Sequence, residues 1–342
     1  MDSKALSNVI KNDKDELARR ICENDPHFAA ATVKYREKYL QDILFTLTFL
    51  ANALSYDQPS LYKNYMTWFG GFARSHRFSE TRFNLAMDAM RAVLADLAAA
   101  EHVPALRTCL DLGREAFHAA FQTSDAQEVE IDPFLADLLQ MRSEKATRYV
   151  VEQYEKGVGI ESIYLDILQP TLYKVGALWQ RGIIGVAKEH YVTAVIQHII
   201  GQLYPYLFET RKTSRHAMTA VCAGSELHEI GMRMVADFFE LAGWDTYFLG
   251  SNLPPEMVVE QLKAVPTGVL AISATTPSHL PEVEELVHRI RAEADLCGTK
   301  IIVGGRVFNE TPELWRQVGA DGFATDAKDA IRIARTLIGD DD

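Results

Sequence analysis

Residues 218–231 read MTAVCAGSELHEIG, and this stretch decides the fold of the C-terminal third of the chain. The run Thr219–Ala223 is short and apolar, which is typical of a buried β-strand. It leads into a polar loop, and a helix is expected to begin near Ile230. A strand, a loop and a helix in this order predict the first part of a β-α-β unit.

The same alternation continues towards the C-terminus. Four more strands are predicted, at Thr246–Leu249, Val269–Ser273, Ile301–Val303 and Gly322–Thr325. Further helices are expected to begin near Pro255, Pro281, Thr311 and Lys328. This pattern implies a parallel sheet with crossover helices, in an α/β doubly wound, flavodoxin-like fold. Ligands of such sheets bind beyond the carboxyl ends of the strands, so the chemistry is expected in the loops after Ala223, Leu249, Ser273 and Val303.

Those loops carry three motifs in a fixed order. They are Glu226-x-His228-x-x-Gly231, then Ser273-x-Thr275, then Gly304-Gly305. The gap from Gly231 to Ser273 is 41 residues, and the gap from Thr275 to Gly304 is 28 residues. In kind, order and spacing, the motifs resemble the cobalamin-binding domain of corrinoid methyltransferases and B12-dependent mutases.

The resemblance implies that His228 is the lower axial ligand of cobalt and displaces the cofactor's own dimethylbenzimidazole. An imidazole is a good metal ligand, and a carboxylate two residues earlier can hold its other ring nitrogen. Small residues suit the wall of a slot for the displaced nucleotide tail, namely Ser273, Thr275, Gly304 and Gly305. The other residues expected to contact the cofactor are Ser225, Glu226, Leu227, Glu229, Ile230, Gly231, Gly250, Asn252 and Thr276.

Each motif taken alone has a plainer interpretation. A lone histidine in such a loop is usually a surface residue, and a Gly-Gly pair is usually a turn. The loop 224–231 could also be an anion-binding helix N-terminus for another nucleotide. The joint match on one β-α-β frame favours cobalamin.

Residues 130–210 are expected to form four helices, at Pro133–Met141, Ser143–Lys156, Ile160–Arg181 and Val186–Glu209. The stretch from Leu165 to Trp179 resembles the helical cap that covers the upper corrin face in methionine synthase and in B12-dependent light-sensing repressors. Trp179, followed after nine residues by Glu189-His190, is similar to the light-sensing version, in which these residues enclose a 5′-deoxyadenosyl group.

Two points qualify that likeness. Trp179 could instead be a core residue and Glu189-His190 a solvated helix start. The repressors also carry a histidine directly after the tryptophan, whereas this chain has Gln180. The resemblance therefore supplies no cobalt ligand at that position, and His190 is the alternative ligand.

Residues 1–124 are expected to be all-helical, with Gly70-Gly71 interrupting an aromatic segment. The three regions together resemble the photocobilins, which join a divergent globin-like bundle to a cap and a cobalamin domain and which also bind biliverdin. A tetrapyrrole pocket could be lined by Tyr62, Tyr65, Trp68, Phe69 and Phe72, with Arg74, His76 or Arg77 meeting the propionates. Ordinary core aromatics, or haem ligated by His76 or His118, are the alternatives.

The net charge, the cysteines and the distribution of apolar residues predict a cytoplasmic protein. A net charge of −12 disfavours binding to nucleic acid or anionic lipid, because both need a basic surface. The four cysteines, Cys22, Cys109, Cys222 and Cys297, are scattered and are expected to be reduced thiols. The N-terminal residues have no apolar signal region, and no run of 18 apolar residues is present.

These interpretations predict a light sensor rather than an enzyme. Adenosylcobalamin would hold the cap in the dark, and its photolysis would change homo-oligomer assembly or contact with a signalling partner. The main alternative is a corrinoid methyl carrier of a methyltransferase system. A third is a binding or redox sensor that uses haem held by the N-terminal bundle.

Overall fold

The computed structural model describes residues 3–26, 28–99, 102–123, 129–208 and 216–340. They divide into two compact units, Met1–Gln127 with Gln180–Gly182, and Glu128–Trp179 with Ile183–Asp342. The polar stretches 124–128 and 210–215 lie outside the described residues. The division into domains at 1–124, 130–210 and 217–342 stays a prediction.

The described part of the first unit is helical, as expected from its apolar periodicity. Its helices are α1 (Lys4–Asn12), α2 (Lys14–Glu23), α3 (Val33–Ser55), α4 (Pro59–Ser75), α5 (Glu80–Ala95) and α6 (Val103–Gln122). The hydroxyl of Ser79 accepts a hydrogen bond from the backbone N–H of Arg82 and so caps the start of α5. The globin-like identity of this bundle stays a prediction.

Helix α4 runs without a break through Gly70, so the expected interruption there was wrong. A Cβ at Gly70 would lie 2.4 Å from the backbone oxygen of Phe117 on α6. A Cβ at Gly113 on α6 would lie 2.4 Å from the ring of Tyr62 on α4. Glycine therefore serves here to let the two helices approach closely.

The second unit begins with helices α7 (Pro133–Leu139), α8 (Ser143–Glu155), α9 (Ile160–Ser162), α10 (Gln169–Gln180) and α11 (Val186–Leu203). The single helix expected at Ile160–Arg181 is divided, because a π-helical turn, Ile163–Leu168, joins α9 to α10. Helix α11 ends earlier than expected and continues as a 3₁₀ turn, Tyr204–Phe208.

Pro170 accounts for the π-helical turn. Proline has no N–H to donate to the preceding turn, and its ring crowds the carbonyl four residues earlier. A wider turn relieves that crowding. The hydroxyl of Thr171 donates to the carbonyl of Ile167 at 2.7 Å and supplies a local hydrogen bond.

The sheet has five parallel strands in the order β2-β1-β3-β4-β5. The strands are β1 (Ala217–Cys222), β2 (Asp245–Gly250), β3 (Val269–Ser273), β4 (Lys300–Gly304) and β5 (Gly322–Phe323). The accompanying helices are α12 (Ile230–Leu241), α13 (Pro255–Ala264), α14 (Leu280–Ala292), α15 (Arg306–Glu310), α16 (Leu314–Gln317) and α17 (Ala327–Ile338). The parallel doubly wound fold is confirmed. The helix expected to begin near Thr311 is α16, and a further short helix, α15, precedes that residue.

Helix α12 has apolar side chains on two faces. One face packs against the preceding helices of the second unit, and the other packs against the sheet. Ile230, Met234 and Phe238 belong to the same core cluster as Val192 and Ile196 of α11. On the other side of α12, buried side chains pack with the strands, namely Met232, Ala236 and Phe239. In the described residues, no helix has both the length and the apolar character needed to cross a membrane.

Candidate functional site

The carboxyl ends of three strands are hydrogen-bonded side by side. The N–H of Ala223, after β1, donates to the carbonyl of Ser273 at 2.9 Å, and the N–H of Ala274 donates to that of Gly304 at 3.1 Å. The loops after β1, β3 and β4 therefore meet at one edge. Strand order reverses between β1 and β3, and this is where doubly wound sheets bind ligands.

Glu226 is the buried centre of this edge, with a side chain only 1% exposed. Its Oε1 accepts from the backbone N–H of His228 at 3.0 Å and contacts His228 Nδ1 at 2.5 Å. Its Oε2 accepts from the N–H of Thr275 at 2.6 Å. Burial alone would raise the pKa of this carboxyl group, but the bonds from His228 and Thr275 lower it to about 2. Glu226 is thus an ionised bridge between the loops after β1 and β3.

The imidazole of His228 is held on one side and open on the other. The hydrogen bond to Glu226 raises the pKa of His228, whereas partial burial lowers it. The side chain is 68% exposed. With Nδ1 assigned as the donor to the carboxylate, Nε2 is the nitrogen that can offer a lone pair to a metal.

The described residues contain no group of three or more His, Cys, Asp and Glu side chains arranged to hold a metal ion. A metal bound through His228 must therefore bring most of its ligands with it. A metal already held in a macrocycle satisfies that condition, because it needs one axial ligand from the protein.

Glu229 links three segments around the same loop. Its Oε1 accepts from Gln197 on α11 at 3.2 Å, and its Oε2 accepts from Ser251 after β2 at 2.9 Å. The N–H of Asn252 donates to the carbonyl of Gly224 at 2.9 Å. Glu229 therefore fixes the loop after β1 relative to both α11 and the loop after β2.

The glycines of the motifs have different reasons for being glycine. Gly305 has φ of +96°, and a Cβ there would lie 2.4 Å from the carbonyl oxygen of Ala274. Residue 305 must therefore be glycine because the neighbouring backbone is so close, and not only because a ligand needs space. A Cβ at Gly231 would meet nothing within 4 Å, so this residue leaves open space beside the loop. Gly250 and Asn252 have φ of +76° and +60°, which shapes the loop after β2.

The remaining residues that were expected to contact the cofactor differ in how exposed they are. Ser225 and Leu227 are exposed at the tip of the loop, whereas Ile230 is buried in the core with the preceding helices. Ser273 is buried, and Gly304 is partly buried beside it. Thr275 contributes its backbone N–H, and the hydroxyl of Thr276 contacts Ser278 at 2.5 Å.

Glu189 lies in the first turn of α11, and His190 follows it directly. Glu189 accepts from Thr193 at 3.0 Å and contacts His190 Nδ1 at 2.7 Å, and the His190 side chain is 75% exposed. The negative charge of Glu189 contributes to the raised pKa of His228, so it acts on the loop after β1. Trp179 is partly buried near the end of α10.

Two residues of this region were missed by the sequence analysis. Gln197 holds Glu229 together with Ser251, whose loop after β2 was expected under the corrin edge, and His279 lies with its Nε2 3.9 Å from Glu226 Oε2. Gln197 has no sequence signal of its own. A histidine four residues after Thr275, in the turn after β3, was the one available hint for His279.

The first unit contains a separate cavity of about 380 Å³. Of the aromatic residues expected to line a tetrapyrrole pocket, Phe69 lines this cavity, whereas Tyr62 is buried core. Phe49 stacks on Tyr65 with a centroid distance of 4.0 Å, and Trp68 stacks on Phe72 at 5.3 Å. His76 and Arg77 line the cavity, and Arg74 is not among its described lining residues.

His118 and Gln180 also make contacts within the first unit. His118 contacts Glu80 through Nδ1 at 2.7 Å and Asn84 through Nε2 at 3.0 Å. Ligation of haem by His118 would have to break one of these bonds. Gln180 donates to the carbonyl of Trp68 at 3.2 Å, so its amide is already engaged.

Two family models match the chain. Both are described as B12 binding domain, and they cover residues 217–333 and 130–204. A corrinoid protein of Desulfitobacterium hafniense is 23% identical over 198 residues, which cover 56% of this chain and 90% of that protein. A dimethylamine corrinoid protein of Methanosarcina mazei is 27% identical over 114 residues, which cover 33% of this chain and 52% of that protein. The chain thus spans about half the length of the dimethylamine relatives it matches.

A solved structure has the same fold over more than half of the chain. The monomethylamine corrinoid protein of Methanosarcina barkeri matches with a TM-score of 0.54 and 21% sequence identity. The match covers 60% of this chain and 97% of that one. At this identity the likeness establishes the fold and nothing finer.

These comparisons correct the functional prediction. The relatives are corrinoid proteins, and several are named for dimethylamine, so the prediction of a light-sensing photoreceptor was wrong. Its light-dependent homo-oligomer has no support either. The comparisons favour the alternative, a corrinoid methyl carrier. Cobalamin binding itself is confirmed by the family models and the corrinoid relatives.

Proposed function

We propose that this cobalamin-binding protein is a corrinoid carrier, which holds a methyl group on cobalt and presents it to a methyltransferase. The observation that carries the proposal is the pair formed by buried Glu226 and exposed His228 at the end of β1. The family models, and the relatives named as dimethylamine corrinoid proteins, support it. Bound cobalamin would supply a cobalt centre that accepts and releases a methyl group.

The residues at the sheet edge fit this cofactor. His228 offers Nε2 as a single axial ligand, and Glu226 fixes the ring through Nδ1. The open space at Gly231 leaves room beside the ligand for the ring of the corrin. The strand ends at Ser273 and Gly304 form the wall beside which the nucleotide tail would lie. These five positions are the core of the proposed site.

The helices before the sheet would cover the other side of the corrin. Gln197 and Glu229 join α11 to the loop that carries His228, and Glu189 lies two turns earlier on the same helix. Trp179, Glu189 and His190 are therefore proposed to face the upper ligand of the cobalt. Adenosylcobalamin as the resident form, and biliverdin in the first unit, stay predictions.

We propose that the chain is a carrier and not itself an enzyme. The activation of a methyl donor and of a methyl acceptor would then belong to partner methyltransferases. The net charge of −12 favours protein partners with a basic face over nucleic acid.

The first experiment identifies the lower cobalt ligand. The protein is grown on ¹⁵N-histidine, loaded with unlabelled cobalamin in the dark, and reduced to the Co(II) state for electron paramagnetic resonance. Coordination by His228 replaces the three-line ¹⁴N splitting by a two-line ¹⁵N splitting, because ¹⁵N has a nuclear spin of one half. His228→Ala should abolish the two-line pattern, and His288→Ala, at an exposed histidine on α14, should keep it.

A second measurement tests methyl transfer. The protein is loaded with ¹⁴C-methylcobalamin in the dark and mixed with a thiol acceptor and a candidate methyltransferase. Label should move to the thiol only when both proteins are present, and His228→Ala should slow the transfer. Unchanged ¹⁴N splitting together with no transfer to any thiol would contradict the carrier function.

A further inference from the structure

His279 lies next to the buried carboxylate that holds the proposed cobalt ligand. Its Nε2 is 3.9 Å from Glu226 Oε2, and its Nδ1 is 3.2 Å from Glu282 Oε2. The side chain of His279 is only 14% exposed. One imidazole ring therefore lies between two carboxylates, one in the loop after β1 and one on α14.

Local structure fixes His279 and Glu282 in these positions. His279 ends the 3₁₀ turn Pro277–His279, and its N–H donates to the carbonyl of Thr276 at 3.1 Å. Glu282 lies in the first turn of α14, where the helix dipole stabilises a negative charge.

The loop that carries Glu226 packs directly on Glu282. Gly224 has φ of +44°, and a Cβ there would lie 2.8 Å from Glu282 Cγ and Cδ. Glycine at this position therefore lets the loop after β1 approach the carboxylate of Glu282. The close approach brings Glu226 and Glu282 to the same imidazole.

The hydrogen bonds of Glu226 leave a place for His279. Oε1 receives two donors from His228, whereas Oε2 receives one, from Thr275. An ionised carboxylate has about four acceptor positions, so Oε2 can take a second donor. The nitrogen of His279 nearest to this position is Nε2, at 3.9 Å, while Nδ1 of the same ring contacts Glu282 at 3.2 Å.

We infer that His279, held by Glu282, is a positioning residue for the cobalt ligand. Glu282, His279, Glu226 and His228 form a chain of alternating acids and imidazoles. His279 fixes the carboxylate of Glu226, and Glu226 in turn fixes the ring of His228 with Nε2 directed away from the sheet. This inference rests on the proposed function, because it assigns His228 to the metal.

The test compares His279→Leu, His279→Gln and the wild type, all loaded with cobalamin and reduced to Co(II). Leucine removes the donor, whereas the amide nitrogen of glutamine keeps one near the place of Nε2. Loss of a direct partner of a metal ligand typically costs about 10-fold or more in affinity, and His279 lies one residue further out, so we expect His279→Leu to lower the ratio of histidine-bound to base-on cobalamin by about 3-fold to 10-fold. Glutamine should restore most of that ratio. The exposed control His288→Leu should leave it unchanged.

A second readout excludes simple misfolding. Urea unfolding of the cofactor-free variants should show that His279→Leu remains folded at the pH of the spectroscopy. Glu282→Ala should also lower the ratio of histidine-bound to base-on cobalamin, but less than His279→Leu does. This variant removes the carboxylate that holds His279 and keeps the imidazole of His279 itself.

The outcomes separate the two proposals. If the wild type shows no histidine-bound cobalt, the proposed function fails and the role of His279 fails with it. If the wild type shows histidine-bound cobalt and a folded His279→Leu shows the same ratio, the carrier site stands and the role of His279 is overturned.

Discussion

Tyr164 and Asp237 are 73 residues apart in the chain, and the hydroxyl of Tyr164 donates to Asp237 Oδ2 at 2.7 Å. Arg233 Nε donates to the other oxygen, Oδ1, at 2.9 Å. Burial raises the pKa of Asp237, although Arg233 and Tyr164 oppose that rise. The bond joins the π-helical turn Ile163–Leu168 to α12, so it ties the helices of the second unit to its sheet.

We expect Tyr164→Phe to lower the free energy of unfolding by about 1–3 kcal/mol, because a buried carboxylate loses a hydrogen-bond donor. The measurement is urea unfolding of the cofactor-free protein at neutral pH. Tyr173→Phe is the matched control, since Tyr173 is 70% exposed on α10. Equal losses in the two variants would show that the bond from Tyr164 contributes nothing.

The two motif glycines should respond in opposite ways to alanine. Gly305→Ala places a Cβ 2.4 Å from the carbonyl oxygen of Ala274 at a φ of +96°. We expect it to destabilise the fold by about 1–3 kcal/mol or to prevent folding. Gly231→Ala meets nothing within 4 Å and lies in α12, so it should keep or slightly raise stability, by up to about 1 kcal/mol.

Cobalamin titration then separates stability from binding at Gly231. Gly231→Ala is expected to fold normally and to bind cobalamin more weakly, because its methyl group enters the space beside His228. Stable protein with wild-type affinity would place the corrin away from Gly231.

The contribution of Glu226 to stability should depend on pH in a defined window. Its pKa falls from 4.5 to about 2 on folding, so the stabilisation is complete above about pH 4.5 and is lost as the pH falls towards 2. The shift corresponds to about 3 kcal/mol at most, and solvent around the exposed His228 reduces this to about 1–2 kcal/mol. Glu226→Gln should remove it.

Urea unfolding of wild type and Glu226→Gln at several pH values between 3 and 6 checks this expectation. The difference between the two proteins should be largest near pH 6 and should shrink steadily below pH 4.5. Glu256→Gln, in the exposed first turn of α13, is the control. A difference that is the same at both ends of the range would contradict the lowered pKa of Glu226.

Glu229 should matter for binding more than for stability. Glu229→Ala removes the acceptor for both Gln197 and Ser251, and so releases the loop that carries His228 from α11 and from the loop after β2. We expect cobalamin affinity to fall about 10-fold or more, as for other residues that orient a metal ligand. Ser251→Ala, which removes one of the two bonds, should have a smaller effect by equilibrium dialysis.

The fold of the second unit was largely predictable because its signals are local. The apolar runs around Val221, Ile272 and Val303 are flanked by helix-length segments, and parallel strands with crossover helices are the regular solution. The site at the loop ends followed from that topology. The pairing of Glu226 with His228 depends on two residues in one loop, so spacing alone could suggest it.

The roles of several other residues depend on contacts with residues far away in the chain. Such contacts cannot be predicted from local sequence patterns. Gly70 resembled a break, yet it faces Phe117 on α6 and permits close helix packing. Gln197 and His279 acquire their roles from partners 32 and 53 residues away. The wrong functional prediction came from Trp179 and Glu189-His190, whose meaning was taken from resemblance rather than from a contact.

The π-helical turn before Pro170 sets the rotational phase of the helix that follows it. A π turn takes in more residues than an α turn, and each residue of an α-helix advances the side-chain direction by about 100°. Every side chain of α10 after the turn therefore points in a direction that an uninterrupted helix would not give it. Inserting or deleting a single residue between 160 and 170 would therefore rotate the side chains of α10 about the helix axis. Trp179 would then point away from its present face, although the composition of the helix would hardly change.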